Sequence, residues 1–503
     1  MEITKVIKEA VYYARTHLGM KEQDEIYFTN ILLGELGQTH PYEGEIDYEH
    51  IKELEVPDEI VEAFNSYLVE EKHMEEGEAS RFVTKLMGYL SPLPSVVQEE
   101  FENLCKRDSA EALDYLYKIS IYNDYVQKTK VDRNLLWKAE EENSDRYLEI
   151  SINLSKPEKN PKDIKKLLTA KVDTKYPKCF LCKENLGFFG NASHPARENI
   201  RIIELTLNGE TWYLQYSPYG YYHKHCIVFN AKHDFMKIEK SSLVALFDFV
   251  TLFPSFFFGS NAELPIVGGS ILNHEHFQGG EHLLPMIKAP LKEKIEMKNY
   301  KDTEFYVIDW YNTAFLLKGK NRKEIEDIFE KVLAFYRTYD DASVDLIHES
   351  NGERHNTINP IVRKEGDTYY LYMILRNNRT DEENPEGIFH AHKEYYHIKK
   401  ENIGLIEAMG LFILPARLVR QFNEIKNVVL ENIPNEEAYK KYPGLEDFEP
   451  MINALRDKGA TIDESITQYV NNVCRHILDN TSVFKKDEKG QEALHRFIKE
   501  LDL

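Results

Sequence analysis

The sequence is poor in cysteine, it has fewer basic than acidic residues, and it has no long apolar run. Its longest mostly apolar stretch, Leu243–Phe258, is interrupted by Asp248, Pro254 and Ser255. No segment therefore reaches the roughly 18 consecutive apolar residues that predict a membrane-spanning helix. The start of the chain, MEITK, lacks the basic and then apolar order of a secretory signal. We expect no membrane association and a cytoplasmic location.

Acidic residues outnumber basic ones, with 85 Asp and Glu against 63 Lys and Arg, and the formal net charge is −22. Such a surface repels the phosphate backbone of nucleic acids, so we expect no nucleic-acid partner. The simplest interpretation is that the charge keeps the protein soluble. It still permits a small phosphorylated ligand in a locally positive pocket.

The five cysteines are Cys105, Cys179, Cys182, Cys226 and Cys474. An odd and sparse set of this kind predicts reduced thiols and excludes a disulfide framework. The length of 503 residues exceeds what one compact core usually holds, and it predicts about two to four folding units.

Four regions differ in their residue pattern. Residues 1–170 have the apolar spacing of helices, residues 171–300 and 301–430 are rich in short strand-like runs, and residues 431–503 are again polar and helical. The predicted fold class is α+β, with two β-rich halves between a helical N-terminal region and a helical C-terminal tail. The two halves could be diverged copies of one unit, although no short tandem repeat is present.

Individual elements can be predicted within these regions. Asn208-Gly209 between two apolar runs is a strong hairpin signal. The predicted helices are Thr4–His17, Asp24–Leu36, Ser109–Val126, Arg322–Thr338 and Lys400–Phe412, and the predicted strands are Ile200–Leu207, Thr211–Tyr216, His225–Asn230, Glu304–Ile308, Asn312–Leu317 and Tyr369–Arg376.

Cys179 and Cys182 are separated by two residues, a gap that lets both sulfurs reach one metal ion from a tight turn. Alone, such a pair is more often a chance or redox pair than a metal site. Two thiolates need two further ligands to complete a tetrahedron, and His233 and His274 are available downstream. A Cys2His2 set would suit zinc best.

A second pattern is the segment Glu263–Gly280, ELPIVGGSILNHEHFQGG, which combines glycines and histidines with few charges. In an extended chain His274 and His276 would face the same side. Gly268, Gly269 and Ser270 leave room for a phosphate to approach backbone N–H groups. A neutral imidazole attacks phosphorus well and forms a reactive phosphoramidate. The alternative is a purely structural role, in which two hydrogen-bonded histidines lie beside a glycine turn.

The segment Leu264–Gly280 closely resembles the signature of the class II, or Gram-positive-type, galactose-1-phosphate uridylyltransferases of the histidine-triad superfamily. Further segments that fit the same family are Leu86–Ser95, His194–Asn199, Leu214–Tyr219, His355–Ile358, Leu375–Asn378 and His397–Met409. The resemblance therefore covers most of the chain. It implies histidine-triad-like antiparallel sheets in the two related halves.

The resemblance implies a reaction of galactose metabolism in which UMP passes from UDP-glucose to galactose 1-phosphate, giving glucose 1-phosphate and UDP-galactose. His276 stands where the family has its covalent nucleophile, and Gln278 where a glutamine hydrogen-bonds the transferred phosphoryl group. The substrate-binding residues expected by the same comparison are Asn261, Gly268, Gly269, Ser270, Arg197, Asn199 and Lys400.

The resemblance also implies metal ligands and a homodimer. Cys179, Cys182, His233 and His274 match a zinc site, whose role would be structural because four protein ligands leave no position for water. A second metal site is suggested more weakly by His390 and His392, with His355 as a third ligand; a substrate-facing or structural role is the alternative.

Two other functions are compatible with these residues. One is a different histidine-triad enzyme, either another nucleotidyl transferase or a dinucleoside-polyphosphate phosphorylase, which would use the same histidine with another base and acceptor. The other is a non-catalytic nucleotide-binding protein stabilised by zinc, against which the intact His276 and Gln278 argue.

Overall fold

The chain folds into two compact units. The computed structural model of the protein describes residues 2–155, 176–191 and 194–503. One unit comprises Met1–Arg133 and Pro157–His233, and the other comprises Asn134–Lys156 and Asp234–Leu503. The predicted boundary at residues 170 and 171 lies outside the described residues, and those at 300 and 430 stay predictions.

The described residues form α-helices and mainly antiparallel sheets, as the predicted α+β class requires. The α-helices are α1 (Ile3–His17), α2 (Glu25–Leu36), α3 (Tyr48–Glu53), α4 (Asp58–Ser66), α5 (Glu76–Leu90), α6 (Pro94–Cys105), α7 (Ser109–Tyr122), α8 (Lys128–Asp132), α9 (Lys240–Leu252), α10 (Arg322–Tyr336), α11 (Leu405–Ala408), α12 (Arg417–Leu430), α13 (Asn435–Lys441), α14 (Glu449–Leu455), α15 (Ile462–Thr481) and α16 (Glu488–Glu500). The strands are β1 (Leu135–Glu140), β2 (Tyr147–Asn153), β3 (Ile203–Leu207), β4 (Glu210–Tyr216), β5 (Cys226–Asn230), β6 (Phe257–Gly259), β7 (His276–Gly280), β8 (Leu291–Ile295), β9 (Thr303–Ile308), β10 (Ala314–Gly319), β11 (Glu349–Ser350), β12 (Glu353–Arg354), β13 (Asn356–Glu365), β14 (Thr368–Asn377) and β15 (Leu411–Pro415).

The first unit begins with helices whose apolar positions recur at helical spacing. In α1, buried Ile3, Val6, Ile7, Ala10 and Ala14 face one core together with residues of α2 to α5. The side chain of Asp108 accepts a hydrogen bond from the N–H of Ala110 at the start of α7. The predicted helices at the positions of α1, α2 and α7 are confirmed.

Three antiparallel strands follow in the same unit. β3 pairs with β4 through the predicted Asn208-Gly209 turn, in which both residues have positive φ, and β4 pairs with β5. Tyr216 at the end of β4 donates its hydroxyl to the carbonyl of Leu113 in α7, at 2.8 Å. The hairpin prediction is confirmed, and the helices of this unit pack against its strands.

The second unit contains strands in the order β7-β6-β13-β14-β10-β9-β8, each antiparallel to its neighbour. Helix α9 packs on β6 and β13, and α10 packs on β10 and β13. Helices follow β15 to the end of the chain, as predicted for the C-terminal tail.

The two halves share one order of elements. In the first, the strands β3, β4 and β5 are followed by α9 and then by the antiparallel pair β6 and β7. In the second, which begins with β8 before the predicted boundary at residue 300, the strands β8, β9 and β10 are followed by α10, by the short pair β11 and β12, and then by the antiparallel pair β13 and β14. This repetition is the structural form of the predicted two related halves.

The described part of residues 1–170 is mainly helical, as predicted, but it also contains a strand pair that the sequence analysis did not identify. β1 and β2 form a hairpin there, and β2 pairs in parallel with β15. Buried Leu148, Ile150 and Ile152 alternate along β2, which is the period of a strand.

The predicted helix Lys400–Phe412 is largely wrong, because only Leu405–Ala408 is helical. Side chains from elsewhere bind the backbone before it: the N–H of Ile403 donates to the ring of His390 at 3.1 Å, and that of Leu405 to Asn261 Oδ1 at 2.9 Å. These long-range hydrogen bonds replace the i to i−4 ladder of a helix.

Gly279 allows β6 and β7 to approach closely, and its substitution tests this packing. A Cβ atom at this position would lie 2.1 Å from the carbonyl oxygen of Phe257. We predict that Gly279→Ala lowers the unfolding free energy by about 1–3 kcal/mol through overpacking, measured by urea denaturation. The matched control is Gly34→Ala in α2, which meets no atom within 4 Å and should stabilise its helix by roughly 0.5–1 kcal/mol. Equal midpoints for Gly279→Ala and the wild type would contradict the prediction.

Candidate active site

Strand β7 carries the predicted nucleophile. Along a strand, alternate residues face the same side, so His276 and Gln278 lie on one face of β7 and Phe277 on the other. Phe277 is fully buried and makes an edge contact with Phe258 of β6, with 5.9 Å between ring centroids. The packing of Phe277 on one face of β7 thereby places His276 and Gln278 on the opposite face.

A backbone carbonyl determines which nitrogen of His276 is free to react. Nδ1 of His276 lies 2.8 Å from the carbonyl oxygen of His274. Because a carbonyl oxygen can only accept, Nδ1 must carry the proton, and the lone pair is on Nε2. This acceptor could not be predicted from the sequence. The His276 backbone N–H also donates to Met236 Sδ at 3.3 Å.

Burial keeps the His276 ring neutral. The ring is withdrawn from water, which lowers the pKa of His276 to about 4, although the hydrogen bond to the carbonyl of His274 acts in the opposite direction. An imidazole with such a pKa is unprotonated at pH 7, which is the form that can attack phosphorus.

The four predicted metal ligands form a close group. Cys182 Sγ lies 3.5 Å from Cys179 Sγ and 3.1 Å from His233 Nδ1. The ligand atoms of Cys179, Cys182, His233 and His274 all lie within 4.8 Å of one another, so these side chains could hold a metal ion. Hydrogen bonding from Cys182 lowers the pKa of Cys179 to about 7, which favours the thiolate that metals bind.

Asn185 holds the turn between the two cysteines. Its side-chain amide donates to the carbonyl oxygens of Cys179 and Cys182, at 2.8 Å each. Nothing in the spacing of the cysteines pointed to this residue, because an asparagine three residues after a Cys pair is not a metal-site signal in itself.

The predicted nucleotide-binding residues Asn261, Gly268, Gly269 and Ser270 belong to the loop between β6 and β7. A Cβ on Gly268 would lie 2.6 Å from the carbonyl oxygens of Ala262 and Leu264, and one on Gly269 would lie 2.8 Å from Asn261 Nδ2. The loop is therefore folded back on itself, with Ser270 exposed at its surface.

The predicted residues Arg197 and Asn199 lie in the first unit. Asn199 is buried and donates its side-chain amide to the carbonyl of Asn123 at 2.9 Å, while the Asn123 amide donates to the carbonyl of Asn199 at 2.5 Å. The guanidinium of half-buried Arg197 lies 5.5 Å from the ring centroid of Tyr125. The Asn199 side chain therefore has a role in packing, whereas the Arg197 guanidinium is partly accessible.

Lys400 is exposed, and its Nζ lies 5.8 Å from the ring centroid of Tyr396. The preceding lysine points inward instead. Lys399 is buried and pairs with Glu407 at 3.0 Å, and it also donates to the carbonyl of Ile413 at 3.0 Å.

The three histidines of the suggested second metal site have protein partners. His355 Nδ1 lies 2.8 Å from Asn378 Oδ1, His390 Nε2 accepts from the N–H of Ile403 at 3.1 Å, and His392 Nε2 lies 3.1 Å from the carbonyl of Ile388. Among residues 2–155, 176–191 and 194–503, these three side chains do not belong to any group whose ligand atoms lie close enough together to hold a metal ion. The described structure thus does not bring them together.

No helix within the described ranges has the length and apolar character needed to cross a membrane.

Metal binding can be tested without an activity assay. We predict that purified protein contains a bound metal ion, and that Cys179→Ser reduces the metal content and lowers the midpoint of thermal unfolding, because one ligand of the group is lost. Cys105→Ser is the matched control, since this half-buried thiol lies outside the group. Elemental analysis that finds neither zinc nor iron in the wild-type protein would refute this prediction.

The sequence matches a known family over most of its length. Residues 20–234 match "Galactose-1-phosphate uridyl transferase, N-terminal domain", and residues 250–442 match the corresponding C-terminal domain. A galactose-1-phosphate uridylyltransferase of Fusobacterium nucleatum subsp. nucleatum is 40% identical over 512 residues, which cover 99% of both chains. Enzymes with that name from Clostridium acetobutylicum and Caldanaerobacter subterraneus subsp. tengcongensis are each 41% identical and cover 95% of this chain and 96% and 94% of their own. The chain belongs to the galactose-1-phosphate uridylyltransferase family.

Proposed function

We propose that this protein transfers UMP from UDP-glucose to galactose 1-phosphate, giving glucose 1-phosphate and UDP-galactose, through a covalent uridylyl-histidine. The observation that carries the proposal is the 2.8 Å contact between His276 Nδ1 and the carbonyl of His274, which leaves the Nε2 lone pair available. Membership of the family supports the choice of substrates.

In the first half-reaction, Nε2 of His276 attacks the α-phosphorus of UDP-glucose. An N–P bond forms while the bond from that phosphorus to the bridging oxygen breaks, and glucose 1-phosphate leaves with the electron pair. Because Nδ1 already carries its proton and donates it to the carbonyl of His274, the hydrogen bond stabilises the positive charge that develops on the ring.

In the second half-reaction, a phosphate oxygen of galactose 1-phosphate attacks the same phosphorus. The N–P bond breaks, Nε2 of His276 recovers its lone pair, and UDP-galactose leaves. Two displacements at one phosphorus predict ping-pong kinetics.

Gln278 is suited to act on the phosphoryl group during both displacements. It follows His276 by two residues on the same face of β7, and its side chain is half-buried. Its amide N–H would donate to a non-bridging oxygen as negative charge accumulates there.

Further substrate contacts are proposed at the loop and at residues elsewhere in the chain. Backbone N–H groups of Gly268, Gly269 and Ser270 would bind the phosphates, with Asn261 holding the loop against Leu405. Arg197, Asn199 and Lys400 are proposed contacts from the family resemblance alone; of these, Arg197 and Lys400 have the more accessible charged groups.

Cys179, Cys182, His233 and His274 would hold zinc, and their geometry fits this ion. Two thiolates and two imidazoles, with ligand atoms within 4.8 Å of one another, are the donor set of a structural zinc site. Bound zinc would stiffen the segment that precedes β7, since His274 is both a ligand and the hydrogen-bond acceptor of His276. A cytoplasmic location, a homodimer and the fourfold division of the chain remain predictions of the same proposal.

The proposed nucleophile can be tested by covalent labelling. Incubation with UDP-glucose labelled in its uridylyl group should leave a label on the protein that is stable to base and labile to acid, and addition of galactose 1-phosphate should release it as UDP-galactose. We predict that His276→Ala abolishes both, because no other group replaces the attacking nitrogen. The matched control is His495→Ala, at an exposed histidine of α16, which should label as the wild type does.

Unchanged activity in His276→Ala would exclude this histidine as the nucleophile. A wild-type protein that forms no UDP-galactose but consumes an adenine dinucleotide would instead support a dinucleoside-polyphosphate phosphorylase.

The function of Gln278 can be tested by measuring the turnover number of a variant. We predict that Gln278→Ala lowers the turnover number by roughly 10²–10³-fold, the effect of removing one donor to a developing oxyanion, in steady-state assays of UDP-galactose formation. Gln468→Ala, at an exposed glutamine of α15, is the control. Equal turnover numbers for Gln278→Ala and the wild type would rule out a contact to the phosphoryl group.

A further inference from the structure

Glu263 is a buried acid at the start of the loop between β6 and β7. Its side chain is only 7% exposed. One carboxylate oxygen accepts from Arg337 at 3.1 Å and from Arg354 at 2.5 Å, and the other accepts from the hydroxyl of Thr357. The acid therefore has two cationic partners and one neutral donor.

The three partners come from separate elements of the second half. Arg337 follows the C-terminal end of α10, Arg354 ends β12, and Thr357 lies in β13. Arg337 is held in turn by the carbonyl of Ile238, to which it donates at 2.5 Å. Glu263 thus ties the loop of the first half to the helix and strands of the second.

The loop itself has a conformation that needs such support. Ile266 has φ of 71°, a left-handed conformation that is strained for a β-branched residue. Gly268 forms an isolated parallel bridge with Ala262, and the N–H of Val267 donates to the carbonyl of Pro265 at 2.8 Å. Strained backbone of this kind persists only where its surroundings hold it, and Glu263 lies three residues before Ile266.

We propose that Glu263 is a positioning residue that holds Gly268, Gly269 and Ser270 in the shape that receives the phosphates of the nucleotide. The inference rests on the function proposed above and adds a residue to it. Glu263 does not touch the substrate; it acts through the backbone of the loop.

The charge balance around Glu263 agrees with this role. An isolated carboxylate close to a phosphate-binding loop would repel the ligand. Two guanidinium groups on one carboxylate leave a local charge of one positive unit, so the contact that fixes the loop also removes this repulsion. Glutamine in place of Glu263 would keep the size of the side chain and one acceptor but would lose the charge that holds both arginines.

The experiment is a single-turnover measurement of His276 labelling by UDP-glucose in Glu263→Gln, with both the rate constant and the final label per chain recorded. We predict a rate constant roughly 10- to 100-fold lower, as expected for a loop displaced by a fraction of an ångström to an ångström, with full label per chain at long times. A residue that served folding alone would reduce the labelled fraction and leave the rate constant of the folded chains unchanged.

Two further variants sharpen the test. Glu382→Gln, at an exposed glutamate, is the matched control and should label at the wild-type rate. Arg354→Gln alters the more exposed partner, whose side chain is 37% exposed, and is therefore the variant to use if Glu263→Gln does not fold. If both residues act through one contact, the double variant should be no slower than the slower single variant.

The outcomes separate the inference from the function on which it rests. A labelled wild type with an equally fast Glu263→Gln, or with a variant that lowers only the labelled fraction, would overturn the positioning role alone. A wild type that takes no label from UDP-glucose would overturn the proposed function, and the positioning role with it.

Discussion

The hydrogen bond from His276 Nδ1 to the carbonyl of His274 is the constraint on which the proposed chemistry depends. It selects the tautomer, orients the ring, and requires that residues 274–276 keep one backbone shape. His274 therefore has two roles. Its carbonyl accepts the hydrogen bond from His276, and its ring is one of the four predicted metal ligands. A side chain held by a metal would restrict the dihedral angles of its own residue, which is how a structural ion can influence a neighbouring nucleophile without touching the substrate.

The sequence could predict the elements and residues whose signals are local. Cys179, Cys182, His274 and His276 stand in short motifs and the Asn208-Gly209 turn has a strong sequence preference, so each can be predicted directly; the turn is confirmed, and the group of Cys179, Cys182 and His274 is found as predicted. Contacts between residues far apart in sequence could not be predicted in this way. Met236 and Glu263 bind residues 40 and 91 positions away, His276 and Arg354, and these partners are known only once the chain has folded. Asn185 is close in sequence to the cysteines that it binds, but an asparagine there is not a metal-site signal. The predicted helix at Lys400–Phe412 is largely wrong for the same reason: hydrogen bonds that the backbone donates to Asn261 and His390 override the local helix preference.

The two halves repeat one order of elements, but they have diverged in what they contribute. In the first half, the strand after the loop carries His276 and Gln278. In the second, residues after α10 and at the start of β13 bind Glu263, and the histidines of this half are used in hydrogen bonds to the protein. Within the described residues, the first half carries the predicted nucleophile, and the second half carries the side chains that bind Glu263.

A protein with a net charge of −22 must still bind phosphorylated substrates, and the local arrangement shows how it can. At physiological ionic strength, charges more than about 8 Å away in water are largely screened, so the overall charge matters less than the groups beside the ligand. Near the loop, Glu263 is neutralised by Arg337 and Arg354, and the predicted phosphate contacts are backbone N–H groups that carry no net charge. Fixed dipoles need no counter-charge. Orienting them toward the ligand costs little free energy, provided that the loop is already folded. In the proposed mode of phosphate binding, a rigid loop with the guanidinium groups of Arg337 and Arg354 beside it therefore matters more than the net charge of the whole protein.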